Sequence, residues 1–309
     1  MNPGNGLTVA LGGGTARAMA HVGVLLALEE ADIRPARVAG TSFGAIIAAL
    51  YALGLPAAEL QRLLTAPRSR HIWAQALDPA PGAFSLVRGR KLERWLDATL
   101  FSAAGFGDAT MPLSIATTSL GTGELAALTS GPLARAVVAS CSLPLLFAPV
   151  NIDGDWLVDG GFVEAVPFRA GTLLGAGPVL GISAGIDSER AGMVRLLRSL
   201  RQRHWARRLS DWSVARSIAS SPGRALRGLG WAARSYARAQ LLPERSELLR
   251  VDPQIAWWDF HRLELAVEAG LAAGRQALEG GLAERLLWQS AAVEVDRERT
   301  GMLAADQPE

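Results

Sequence analysis

Gly40-Thr41-Ser42-Phe43-Gly44 places a serine between two glycines, each two positions away. Those residue types at that spacing suit acyl transfer. A serine hydroxyl attacks an ester carbonyl only if it projects into a cleft and a base takes its proton. A tight strand-to-helix turn supplies the projection, and side chains two positions either side would crowd that turn. The start of the following helix favours negative charge developing beside the serine. The chain carries 33 glycines, so the bare pattern can arise by chance and its context decides. Val38-Ala39-Gly40 reads as a short strand, and Ser42 to Leu53 reads as an apolar helix that stops near Gly54 and Pro56. That is the setting the motif requires.

Leu11-Gly12-Gly13-Gly14-Thr15-Ala16-Arg17 is a second strand-to-helix turn. Successive glycines let several backbone N–H groups converge on one spot, which suits an anion. Two uses compete: an oxyanion hole for a tetrahedral intermediate, or a phosphate cradle for a nucleotide. A dinucleotide fingerprint would need glycine where Arg17 stands, and the Gly-Lys-Ser/Thr of a P-loop is absent. The serine motif just downstream gives the loop a client.

The base has several candidates. The four histidines are His21, His71, His204 and His261. His21 falls on a helix face, where packing is the ordinary role, and none of the four has a recognisable catalytic setting. Asp159-Gly160-Gly161 follows the short strand Trp156 to Val158, so its carboxylate can sit at a strand end facing a cleft. A turn residue is the competing reading of Asp159. Asp153-Gly154 is a hairpin signal of the type I′ kind, and Asp155 flanks it.

These residues need a frame. Leu7 to Leu11 reads as a buried strand, Ala16 to Ala31 as a helix, and the alternation continues through the serine motif. It favours an α/β fold with a mostly parallel sheet flanked by helices. Pro67 to Arg90 reads as irregular, and Lys91 to Leu100 as helix. Leu113 to Thr118 and Glu124 to Leu128 read as strands, Leu133 to Cys141 as helix, and Val179 to Ser183 as the last strand. Trp257 to Leu278 reads as helix, and the residues after Arg297 as a disordered tail.

The Gly-rich loop with its arginine, G-x-S-x-G and D-G-G, in that order, resemble the patatin-like phospholipase family. The resemblance is to its small bacterial members, related to the catalytic domain of neuropathy target esterase. It covers about residues 7 to 186, including His21-Val22-Gly23-Val24-Leu25 and Ala139-Ser140-Cys141-Ser142-Leu143-Pro144. A fainter match recurs at Asp252-Pro253 and Asp259-Phe260-His261. The resemblance implies a three-layer fold and a hydrolase of lipid acyl esters that needs no metal or other cofactor. It implies a Ser42–Asp159 dyad. Backbone N–H groups around Gly13, Gly14 and Thr15 would hold the oxyanion, after Gly12, with Arg17 supporting the loop. Gly40 and Gly44 would shape the elbow, and Gly160 and Gly161 the turn after the base. An aspartate near its reference pKa of about 3.9 is a weak base for serine, so an enclosed Asp159 is expected. The family usually has glycine where this chain has Ala18, whose methyl group would narrow the oxyanion site. A conventional α/β-hydrolase triad of Ser42, Asp159 and His261 is the rival enzyme, and a non-catalytic regulator on the same fold is the rival of another kind.

Half of the 309 residues are hydrophobic and 19% are charged, enough for a substantial core. The net charge of +2 gives no case for nucleic acid as partner. The single cysteine, Cys141, excludes a disulfide framework within the chain. Met1 to Gly6 has no leader pattern, and the apolar run Phe43 to Leu55 is shorter than a membrane span, so a cytoplasmic protein with at most peripheral membrane contact is expected. The expected organisation is a catalytic domain over 7–186, a helical Arg/Trp-rich extension over 187–296 packed on it, and a tail over 297–309. Within the extension, 190–238 reads either as a helical cap with a solvated basic face or as a surface for anionic membrane. Oligomeric state is not legible.

Overall fold

In this computed structural model, residues 6–66, 79–82, 85–185, 243 and 245–286 are described. The chain opens with β1 (Thr8–Leu11), a 3-10 turn (Thr15–Met19), α1 (Ala20–Glu30), β2 (Arg37–Thr41), α2 (Phe43–Ala52) and α3 (Ala57–Thr65). It continues with β3 (Pro79–Gly82), β4 (Ser85–Val87), α4 (Arg90–Leu96), β5 (Leu113–Ser119), β6 (Leu125–Leu128) and α5 (Leu133–Ser140). Then come β7 (Leu145–Phe147), β8 (Val150–Ile152), β9 (Asp155–Asp159), α6 (Phe168–Thr172), β10 (Val179–Ala184), β11 (Ser246–Val251) and α7 (Leu263–Glu279).

The main sheet runs β11-β10-β1-β2-β5-β9-β8, with β6 also on β5. Strands β11, β10, β1, β2 and β5 are parallel, and β6, β8 and β9 add antiparallel pairs. The central strands read as continuous apolar runs because both faces are covered. Alternation sorts their side chains. Val9, Leu11, Val38, Ile115, Leu180 and Ile182 join the large core that includes residues of α1, α2 and α7. Ala10, Ala39 and Ala116 face the other way, against Phe168 and Ala170 of α6. This is the expected three-layer α/β arrangement. A Cβ at Gly181 would overlap the Phe168 ring, so glycine there admits α6 to the sheet.

Three expectations change. β10 is not the last strand. Ser246–Val251 extends the sheet beside it, inside the stretch expected to be a helical extension. Its polar Glu247 and Arg250 suit a partly exposed edge and hide it from an apolar-run reading. The C-terminal helix begins at Leu263, not Trp257. Asp259 Oδ2 accepts from the Ala256 N–H at 3.0 Å and holds residues 256–259 in a turn. The described part of Pro67 to Arg90 contains β3 and β4, which form a second small sheet with β7. The 190–238 stretch and the tail lie outside the described residues. No helix among the described residues is long and apolar enough to cross a membrane.

Candidate active site

Parallel neighbours β1 and β2 end side by side, with Leu11 opposite Gly40. The Gly-rich loop and the serine elbow therefore emerge from adjacent strand ends. The order reverses at β1, since the chain moves first to β2 and later to β10 on its other side. Ligand crevices form at such switch points.

Ser42 has φ 55° and ψ −126°, a left-sided conformation that L-residues rarely adopt. Such strain costs about 1–3 kcal/mol and persists only where neighbours enforce it. The glycines enforce it here. A Cβ at Gly40 would lie 2.5 Å from Ala45 Cα, and one at Gly44 would overlap the carbonyls of Leu11 and Gly12. Thr41 and Phe43 are buried while Ser42 is partly exposed, so the serine alone reaches the cleft. Its N–H donates to Ser140 Oγ at 2.8 Å, and Ser140 Oγ–H donates to the Ala116 carbonyl at 2.7 Å. Ser140 thus ties the elbow to β5.

Asp159 reaches the same place by sheet register. β2 pairs with β5 through Thr41 and Ala116, while β9 pairs with the next β5 residue, Thr117, through Asp159. β6 occupies the opposite edge of β5 over the same residues. β9 therefore enters the lane that β2 vacates, and Asp159 meets the elbow end on. The aspartate is 3% exposed, as an enclosed base requires. Its Oδ1 accepts from the Gly161 N–H at 2.7 Å, its N–H donates to the Ser142 carbonyl at 3.0 Å, and its carbonyl accepts from Thr118 Oγ1 at 2.9 Å. A Cβ at Gly160 would overlap the Ala116 carbonyl, so that glycine permits the close turn. Cys141 bonds to Ser42 and feels the Asp159 charge. Burial pushes its thiol well above the usual range, the Asp159 carboxylate adds to the shift, and a hydrogen bond with Ser42 opposes it.

The Gly-rich loop meets the elbow, and one of its expected donors is already engaged. A Cβ at Gly13 would lie 3.3 Å from Ser42 Cβ, so loop and elbow are in contact. The Gly13 N–H is not a free oxyanion donor, because it donates to the Ala165 carbonyl at 3.0 Å. The N–H groups of Gly14 (φ 138°) and Thr15 (φ 49°) have no acceptor among the described residues. Arg17 holds the loop from behind, with Nε on the Ile255 carbonyl at 2.6 Å and Nη1 on that of Gly185 at 3.0 Å. Thr15 Oγ1 and the Ala16 N–H both donate to the Trp257 carbonyl, at 2.6 and 3.1 Å. Ala18 is fully buried within the large core.

His71 and His204 lie outside the described residues. His261 is exposed in the turn before α7, next to Phe260, whose ring packs 6.2 Å from that of Phe43. His21 is fully buried. Sequence reading gave no role to Ser140 or Cys141, although both fall in the quoted 139–144 segment. Their roles depend on β5 and β9, which only the folded sheet brings together. A cavity of about 400 Å³ lined by Phe106, Met111, Leu113 and Leu174 lies at the start of β5, the end of the sheet away from Ser42.

A family model described as patatin-like phospholipase matches residues 9–171. The chain belongs to that family. It is 34% identical over 184 residues to lysophospholipase nte1 of Emericella nidulans, covering 59% of this chain and 12% of that protein. It is 30% identical over 221 residues to an NTE family protein of Mycobacterium bovis, covering 69% of this chain and 59% of the relative. The chain thus spans less than two thirds of the length of each of these curated relatives. Among solved structures, VipD from Legionella pneumophila is similar with a TM-score of 0.48 and 15% identity, over 89% of this chain and 66% of that one.

Proposed function

We propose that this chain is a lipid acyl hydrolase of the phospholipase A or lysophospholipase type, working through Ser42 and Asp159. The observation that supports the reading is the register: β2 and β9 pair with successive β5 residues, Ala116 and Thr117, through Thr41, which precedes the strained serine, and through the buried Asp159.

In this mechanism Asp159 accepts the Ser42 proton as Oγ attacks the ester carbonyl. The oxyanion forms against the N–H groups of Gly14 and Thr15, which have no acceptor among the described residues and sit on the loop that touches Ser42. Collapse expels the alcohol, which takes the proton from Asp159 and leaves acyl-Ser42. Water then attacks that ester while Asp159 accepts its proton. The acid departs, and Ser42 recovers its hydrogen. The partial positive charge at the start of α2 favours both tetrahedral states. The Trp257 carbonyl accepts from Thr15, and the Trp257 and Trp258 rings, 45% and 61% exposed and packed edge to face, offer aromatic surface suited to an apolar acyl chain.

The test is fatty-acid release from lysophosphatidylcholine, phosphatidylcholine and a long-chain thioester by wild type and Ser42→Ala. Release by wild type at least 10³-fold above the alanine variant is expected on one or more of them. Equal background release by both proteins would overturn the reading.

A further inference from the structure

His21 is the second residue of α1, just after the 3-10 turn that follows the Gly-rich loop. It is fully buried, and its Nε2 lies 2.7 Å from the Gly12 carbonyl oxygen. A carbonyl only accepts, so Nε2 carries the proton and Nδ1 is a bare acceptor. That Nδ1 is buried and meets no donor among the described residues. An orphaned polar atom costs stability and asks for an explanation. An apolar residue would fill this volume without that cost, so packing alone does not account for an imidazole.

The Nε2–H bond does. The Gly12 carbonyl and the Gly13 N–H belong to one peptide unit. His21 grips its oxygen, and the Ala165 carbonyl grips its N–H at 3.0 Å from the opposite side. Gly44 of the elbow lies against the same oxygen, closely enough that a Cβ there would overlap it. Glycine-flanked peptide planes turn over at little steric cost. Turning this one would re-aim the Gly14 and Thr15 N–H groups that follow it, beside Ser42.

We propose that His21 is a positioning residue for the oxyanion loop, its Nε2–H fixing the Gly12–Gly13 peptide so that the Gly14 and Thr15 N–H groups face the reacting carbonyl. The inference rests on the Ser42 reading. Burial supports it by pulling the imidazole down to about 4, so a single neutral donor is maintained through the working pH range. His21 never touches substrate, and its effect belongs to the transition state, where the oxyanion exists.

The experiment compares wild type, His21→Phe, which fills the volume without a donor, and His21→Gln, whose amide N–H has the same reach as Nε2. Turnover of a p-nitrophenyl ester gives kcat and KM, and inhibition by a trifluoromethyl ketone, which forms an oxyanion on Ser42, reads the loop directly. His21→Phe should lose at least 10-fold in kcat with KM within about twofold, and lose ketone affinity in parallel. His21→Gln should recover most of both. If His21→Phe does not fold, His21→Asn, whose amide is too short to reach Gly12, takes its place with the same expected losses. A folded donor-less variant with wild-type kcat and ketone affinity would overturn the proposal and leave the Ser42 reading intact, as would equal losses in the Gln and donor-less variants. A wild type as inert as Ser42→Ala would remove both.

Discussion

At the scale of single residues the site depends on a few bonds that no surface chemistry replaces. Asp159→Asn keeps the side-chain shape and removes the base, so kcat should fall by about 10²–10⁴ with the melting temperature little changed. Steady-state kinetics beside a thermal melt checks this. Ser140→Ala should act on both quantities. It strips the part-buried Ser42 N–H of its acceptor and takes a donor from the Ala116 carbonyl, a loss of about 1–3 kcal/mol together with slower turnover. A melt unchanged within error would show that the elbow does not need this tie. Ser42 and the glycine turns stand out as candidates by type and spacing, whereas Asp159 needed the family resemblance, because its spacing alone fits a turn residue equally well. Ser140, Cys141 and the Ala165 carbonyl were not legible, because their roles come from partners far away in the chain. The Gly13 N–H was assigned to the oxyanion for the same reason. Nothing local reveals that Ala165 has already claimed it.

At the scale of elements, α6 is held by one buried acid. Glu164 is 4% exposed, and its carboxylate accepts from the N–H groups of Arg169 and Ala170 at 2.6 and 3.3 Å. Burial pushes its pKa from 4.5 up to about 7, against the pull of those N–H groups. The folded protein therefore binds the proton more tightly than the unfolded chain. Its contribution is fully present below pH 4.5 and is lost as pH rises through about 7. Glu164→Gln should flatten that slope, worth up to about 3 kcal/mol, whatever it does to absolute stability. Denaturant melts at several pH values from 4.5 to 8 measure it, and an unaltered slope would contradict the assignment. The helices α1 and α7 cross almost backbone to backbone. A Cβ at Gly270 would overlap the Ala20 carbonyl, and one at Gly23 the Val267 carbonyl. Gly270→Val should destabilise by about 1–3 kcal/mol or more, and because α1 carries His21 it should also lower turnover. The type I′ hairpin at Asp153 and Gly154, both with positive φ, was legible from two residues. The 3-10 turn before α1 was not, since Ala16 to Ala31 has one continuous helical pattern and the break follows from the loop's bonds to Trp257 and Ile255.

At the scale of the whole molecule, the sheet does not end where the family motifs end. β11 pairs along the full length of β10, and α7 packs on α1, so residues 246–279 complete the unit that holds the Gly-rich loop. Arg17 and Thr15 both bond to carbonyls in 255–257. A chain cut at residue 186 keeps every motif yet should show no cooperative melt and no ester hydrolysis, and a folded, active fragment would refute this view of the molecule. The α/β class, with a mostly parallel sheet flanked by helices, was legible from alternation and apolar runs, and the three layers from the family resemblance. The closing strand was not, because an edge strand with Glu247 and Arg250 lacks the apolar run that marks the centre of a parallel sheet. The central claim is that Ser42 is a nucleophile activated by Asp159. It is tested most directly by exposing wild type, Ser42→Ala and Asp159→Asn to a fluorophosphonate probe and locating the adduct by peptide mass spectrometry. The account predicts a single adduct on Ser42, absent from the alanine variant and formed far more slowly in the asparagine variant. A folded wild type that takes no label, or labels elsewhere, would contradict it.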